Sequence, residues 1–283
     1  MTTPTSDIAL PYLSHLPPER TAALRYVLRL ADNALILGQR NAEWCGHGPV
    51  LEEDIALANI SLDLIGQSRL LYAHAGELEG ALTGRPRHED DYAYWRGERE
   101  FGNWTLAELP HSGPLAGTAS SDRDYAVTIT RNFLYSALMV ELWNVLQAST
   151  DAGLAAIAAK SLKEARYHLQ HAAGWMVRLG DGTEASHLRM QRALDHLMPY
   201  MNECFAGDDV EQLAAAQGVA VPTSALRDAW EETVDETLEA ATLDKPVPST
   251  FLSTGKHGLH SEHMSYLLAE MQSVARAHPG AQW

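Results

Sequence analysis

The stretch from Gly38 to Glu77, GQRNAEWCGHGPVLEEDIALANISLDLIGQSRLLYAHAGE, contains the end of one helical pattern, a break, and most of a second. Upstream of it, after Pro17-Pro18, the apolar residues Leu24, Val27, Leu28, Ala31 and Leu35 recur at helical spacing and predict a first helix over Glu19 to Gln39. Gly46-His47-Gly48-Pro49 stops it. Glu52, Glu53 and Asp54 then suit the positive end of a new helix dipole, and Leu57, Ile60, Leu64 and Leu71 carry a second helix to about His74. Two long helices joined by so short a turn make an antiparallel hairpin.

Outward from that hairpin, Gly76 to Ser121 mixes Gly, Pro and charge with Tyr92, Tyr94, Trp95 and Trp104, the composition of a long crossover carrying a short helix or two. A third helix is predicted over Asp122 to Ala148 and a fourth over Ala152 to Leu179, where Gly180-Asp181-Gly182 ends it. Two hairpins separated by one long crossover are the connection pattern of the ferritin-like bundles. Accessory helices follow at Glu184 to Cys204, Val210 to Ala216, Ser224 to Leu243 and Ser261 to Ala277, and no alternating run reads as a strand. The expected fold is all-α: a ferritin-like four-helix bundle with accessory C-terminal helices, in one domain over 1–283. Its parts are an N-terminal extension (1–18), a first hairpin (19–74), the crossover (76–121), a second hairpin (122–179) and the accessory helices (184–283).

A formal net charge of -16 on 283 residues repels phosphate backbones and anionic lipid, so neither nucleic acid nor membrane is the expected partner. The N-terminus lacks the basic and apolar regions of a secretory signal, and no apolar run approaches the ~18 residues of a membrane span. The expected compartment is cytoplasmic. Cys45 and Cys204 form no Cys-x-x-Cys pair and read as packing residues.

A bundle of this connectivity can hold two metal ions through a Glu from each of two helices and a Glu-x-x-His from each of the other two. Two such strings exist, Glu108-Leu-Pro-His111 and Glu184-Ala-Ser-His187, but 21 Glu and 13 His in 283 residues place about one by chance, and neither lies in a long helix. Within the long helices, Asp32, Gln39, Asn59, Asp63, Gln67, Glu141, Lys163, Glu164, Tyr167, His168 and His171 stand out from the apolar pattern. Their registers are broken. Three places after Glu164 stands Tyr167, with His168 one place late; three after Asp63 stands Gly66; three before Gln67 stands Leu64. The expectation is a degenerate pocket of Asp32, Asp63, Leu64, Gln67, Glu141, Lys163, Glu164 and His168, with no catalytic residue, metal or cofactor. Lys163 has two open readings, an inward ammonium neutralising buried carboxylates or a side chain reaching solvent. Trp44 and His47 mark a corner that could form an interface, against the commoner roles of packing and capping. His257, His260 and His263 share one helical spacing, where capping and surface roles outweigh a metal face. There is no phosphate loop, nucleophile elbow or dinucleotide fingerprint.

The segment quoted first, together with Leu154 to His187 (LAAIAAKSLKEARYHLQHAAGWMVRLGDGTEASH) and His257 to Trp283 (HGLHSEHMSYLLAEMQSVARAHPGAQW), closely resembles the PaaC family, the structural subunits of ring-1,2-phenylacetyl-CoA epoxidase. The likeness runs over nearly the whole chain. It implies a non-catalytic role in aerobic phenylacetate degradation, beside a ferritin-like catalytic subunit whose di-iron centre oxidises phenylacetyl-CoA. A small bridging subunit and a flavin and iron-sulfur reductase would complete the assembly. The resemblance sets Leu64 and Gln67 where the catalytic partner's Glu and His would stand. Docking is expected through an extended helical face built by the first hairpin and accessory helices. Two other readings are a self-sufficient di-iron or di-manganese oxidase, which needs a complete ligand set, and a free-standing scaffold or storage bundle, which needs no partner.

Overall fold

The structure is a computed structural model that describes residues 11–113 and 123–281. Four long helices form its centre: α1 (Pro18–Ala42), α2 (Leu51–Thr83), α5 (Tyr125–Leu146) and α6 (Ala152–Gly180). Between them lie α3 (Glu89–Tyr94) and α4 (Thr105–Glu108), and beyond them α7 (Glu184–Leu197), α8 (Met201–Phe205), α9 (Asp209–Ala216), α10 (Arg227–Ala240) and α11 (Glu262–Ala277). The starts follow local chemistry. Pro18 occupies the first turn of α1, where a missing N–H costs nothing, and the carboxylates of Asp124 and Asp151 cap α5 and α6. α1 packs on α2, and α5 on α6, as the two hairpins of the ferritin-like arrangement, and α2 lies against α6 to join them.

α2 runs nine residues past its expected end at His74, so the first hairpin closes at Thr83 and the crossover starts at Gly84 rather than at 76. Gly76 and Gly80 look like breakers in sequence but serve close packing. A Cβ on Gly76 would run into the Arg87 carbonyl oxygen, and one on Gly80 would meet Pro86 at 3.0 Å. The true stop is Gly84, in the left-handed conformation at φ 73° that ends many helices. Elsewhere Pro199 turns the expected helix 184–204 into α7, a 3-10 turn (Met198–Tyr200) and α8. The expected helix 224–243 begins as a 3-10 turn (Thr223–Leu226) and ends at Ala240. Residues 1–10 of the extension, the end of the crossover and the expected start of the third helix at Asp122 lie outside the described residues.

The crossover is fastened to the first hairpin by a buried arginine. Arg96 donates through Nη1 to Asp32 Oδ2 (3.2 Å) and the Glu100 carbonyl (2.8 Å), through Nη2 to Asp32 Oδ1 and Tyr72 Oη (2.9 Å), and through Nε to the Tyr92 carbonyl (2.8 Å). Asp32 also accepts from the Tyr72 hydroxyl (2.5 Å) and the Gly102 N–H (2.8 Å). Its charge is thus matched by a bidentate guanidinium and its remaining lone pairs are used, the condition under which a buried ion pair is tolerated. A second clasp forms at Glu79, which accepts from the hydroxyls of Tyr12 (2.8 Å) and Tyr92 (2.7 Å) and pairs with Arg87 (3.3 Å).

α9 covers α1, α7 and α10 cover α5 and α6, and α11 packs on α3, α4 and α1, so one apolar core runs from the bundle into the accessory helices. The isolated bridge Thr254–Leu259 is the sole β-pairing among the described residues. None of their helices is long and apolar enough to cross a membrane. Cys204 is buried as expected, whereas Cys45 sits exposed on the hairpin turn and packs nothing. Asp32→Ala should destabilise the chain by about 3–5 kcal/mol, because it leaves the Arg96 charge buried and unmatched. Urea unfolding measures this, and limited proteolysis should show the crossover cut first.

Candidate functional site

α2 and α6 run antiparallel, and five of the polar residues that broke the apolar pattern, Asp63, Gln67, Glu164, His168 and His171, meet along the seam between them with Glu53, His74 and Asp151. His171 Nε2 donates to Glu53 Oε2 (2.8 Å), which also accepts from the Tyr125 hydroxyl (2.5 Å). Next come His168 Nε2 to Asp63 (3.0 Å), the Gln67 amide to Glu164 (2.9 Å) and His74 Nε2 to Asp151 (2.8 Å). At a helical rise of about 1.5 Å per residue, the rungs at 53 and 74 stand roughly 30 Å apart. Donors and acceptors therefore meet in local pairs along the seam, with His171 Nδ1 left buried and without a partner.

A two-metal centre needs about four carboxylates and two imidazoles converging on one point, and these residues do not fit it. Among the described residues no three His, Cys, Asp or Glu side chains are grouped to hold a metal ion. The densest spot combines the rungs of Asp63, Gln67, Glu164 and His168. There Gln67 points an amide N–H at Glu164 where a ligand would need a lone pair, and Lys160 stands 3.8 Å from the same carboxylate.

Of the eight residues expected in a degenerate pocket, those four come together and four do not. Asp32 belongs to Arg96. Leu64 packs against Gly38 of α1, which sets it in the apolar core. Glu141 is only partly buried on α5 and bonds to none of the others. Lys163 is exposed, so its reading as an inward counter-charge is overturned: its aliphatic stem leaves the ammonium in water.

The corner residues separate too. Trp44 is buried, its indole N–H shared between His111 Nδ1 (3.0 Å) and Thr128 Oγ1 (2.9 Å), so it packs the hairpin and presents no interface. His47 is exposed, with Nδ1 3.1 Å from the Cys45 carbonyl. His111 lies 2.6 Å from the Arg40 carbonyl through Nε2, which fixes the proton there and leaves Nδ1 to accept from Trp44 and Arg131. Burial, then the Arg131 charge, hold its pKa well below the usual histidine range. His260, expected in a capping or surface role, is buried against Glu108 (2.7 Å). Burial pushes its pKa down, and the Glu108 bond outweighs that to leave it raised. Glu108 and His111, one of the two Glu-x-x-His strings, thus serve different structural contacts.

Above the polar seam the two helices present an outer face that no accessory helix covers. Ile55, Leu62 and Leu70 of α2 and Tyr167 of α6 are exposed there, Leu62 at 66% and Tyr167 at 50%, with Gly66, Ala73, Ala156 and Gly174 leaving the surface shallow. Sequence reading missed this stripe, although its signal is present: the large apolar residues of α2 are not confined to one side of the helix, so that Ile55, Leu62 and Leu70 face outward while Leu57, Leu64 and Leu71 face the core. A run of exposed large apolar residues on core helices marks an interaction site.

The bundle, the paired polar seam and the exposed apolar residues define a ferritin-like helical protein. The chain belongs to the phenylacetic acid catabolic protein family, whose model matches residues 12–283. It is 44% identical over 258 residues to one of the subunits of 1,2-phenylacetyl-CoA epoxidase from Escherichia coli (strain K12), across 91% of this chain and 98% of that protein.

Lys163→Ala should change stability by no more than about 0.5 kcal/mol in urea unfolding, as an exposed side chain does and a buried counter-charge does not. His111 gives a pH dependence of known sign. Its native pKa lies below its unfolded value, so the unfolded chain binds the proton more readily, and stability should fall as pH drops below about 6.5. Replacing His111 by Gln should flatten that acid limb in urea midpoints measured against pH. His260, with its raised pKa, works oppositely and loses its contribution as pH rises through that value.

Proposed function

We propose that this chain is a non-catalytic structural subunit of a multicomponent phenylacetyl-CoA epoxidase in aerobic phenylacetate degradation, and that it docks the di-iron catalytic subunit through the outer face of α2 and α6. The exposed Ile55, Leu62, Leu70 and Tyr167 on two central helices carry this reading. Each is already about half covered within the chain, so covering the rest contributes roughly 1 kcal/mol of gross apolar stabilisation per side chain, and together they suit the centre of an interface. The relative from Escherichia coli is named as one subunit of an epoxidase, which supports assembly as the role.

This reading puts the docking surface elsewhere than the expected face of the first hairpin and accessory helices. Accessory helices α7, α9, α10 and α11 pack onto the bundle without extending this face, so the contact is assigned to one helix from each hairpin. Docking there would press the partner onto the polar seam, shielding its hydrogen bonds from water and stiffening both bundles. The chain itself binds no cofactor in this reading, because its seam offers an amide and paired side chains in place of a ligand set. The small bridging subunit and the flavin and iron-sulfur reductase complete the assembly, which is placed in the cytosol.

The chain purified alone should carry no stoichiometric iron and show no oxygenase activity. About two irons per chain would make it a self-sufficient oxidase and overturn the proposal. Co-expressed with the catalytic subunit it should elute as a stable complex, and Leu62→Glu with Tyr167→Glu should abolish co-elution while leaving the circular dichroism of the free chain unchanged.

A further inference from the structure

Alongside the apolar face, α6 carries a row of cations: Lys160, Lys163 and Arg166, all exposed, at i, i+3 and i+6. The row is unusual for this chain. Acidic residues outnumber Lys and Arg 37 to 21, yet α6 holds four Lys or Arg residues, these three and Arg178, against the single acid Glu164. Glu164 is engaged with Gln67 across the seam and reaches only Lys160, at 3.8 Å. Lys163 and Arg166 pair with no carboxylate among the described residues.

Helix stability does not explain the row. Like charges three residues apart cost an isolated helix a few tenths of a kcal/mol. The helix dipole favours cations in the last turn, whereas these residues sit in the middle of Ala152–Gly180. Lys163 stands one helical turn before Tyr167, at i-4, with Lys160 a turn earlier and Arg166 further round the helix, so the cations lie beside the exposed aromatic ring of the docking face as a charged rim borders an apolar centre. A surface with a net charge of -16 repels a second copy at long range, and a local cationic edge selects a partner that presents the opposite sign at that edge.

Resting on the docking role proposed above, we infer that the partner's contact surface is a helical face with an apolar centre and an acidic edge, which lies along Lys160, Lys163 and Arg166 and is steered there by them. Rim charges of this kind act mainly on the association rate and its salt dependence, while the apolar centre sets the dissociation rate.

The test measures association of the full chain with immobilised catalytic subunit at low salt and at about 1 M salt, where the screening length is about 3 Å. The triple variant K160E/K163E/R166E should associate about 10-fold more slowly than wild type at low salt and match it at high salt. Leu62→Glu should weaken the complex at both. A wild-type complex whose association rate is indifferent to salt and to the triple reversal overturns the acidic-edge inference alone. Failure of the wild-type chain to bind the catalytic subunit at all overturns the docking role and this inference with it. So does a homodimer of the chain in sedimentation that Leu62→Glu dissolves and the catalytic subunit does not displace.

Discussion

The mutual satisfaction of polar side chains between α2 and α6 is the constraint from which the rest follows. Two long helices from different hairpins must lie side by side, and an apolar seam alone would leave their sliding register free. The pairs Glu53–His171, Asp63–His168, Gln67–Glu164 and His74–Asp151 favour one register, because a shift by one turn would leave part-buried donors and acceptors without partners. The same pairing uses up the groups that a metal centre would draw upon. A frame that in related architectures performs redox chemistry is here closed by hydrogen bonds.

Closing the seam has a second effect on the surface. With the polar groups of the seam turned toward one another, the outward positions of the two helices carry Ile55, Leu62, Leu70 and Tyr167 among small residues, with Asn59 and Arg69 of α2 and the cations of α6 beside them. The accessory helices, which bury the outer sides of α1 and α5, leave this side open. Packing economy within one chain would have favoured covering it. An uncovered apolar face on the central helices is the observation on which the proposed docking role rests.

The sequence made the four long helices and their pairing legible because 3.6-residue periodicity and strong stop signals agree in each. It misplaced the end of α2 because a glycine inside a helix carries the same letter as a glycine that ends one, and only the neighbouring Arg87 and Pro86 distinguish Gly76 and Gly80 from Gly84. Local spacing exposed the broken ligand registers, yet it grouped Asp32 with residues it never touches. Asp32 is claimed by Arg96, sixty-four positions away, and no window of one helix reveals a partner at that distance. Lys163 was ambiguous for the same reason, since its direction depends on the rotation of α6 against α2. The exposed stripe on α2 was hidden because a leucine that faces the core and a leucine that faces outward carry the same letter, and only the packing of α1 and α6 against α2 tells Leu64 and Leu71 from Leu62 and Leu70.

The close approach of the crossover to α2 also bears on how such a chain can change over time. At Gly76 and Gly80 the returning backbone lies so near the helix that any side chain would lever it away. The hydroxyl of Tyr92 and the guanidinium of Arg87 reach Glu79 only while that approach holds. A side chain at Gly76 would drive the Arg87 backbone off the helix and one at Gly80 would crowd Pro86, so these two glycines act as the latch that holds the connecting arm against its bundle.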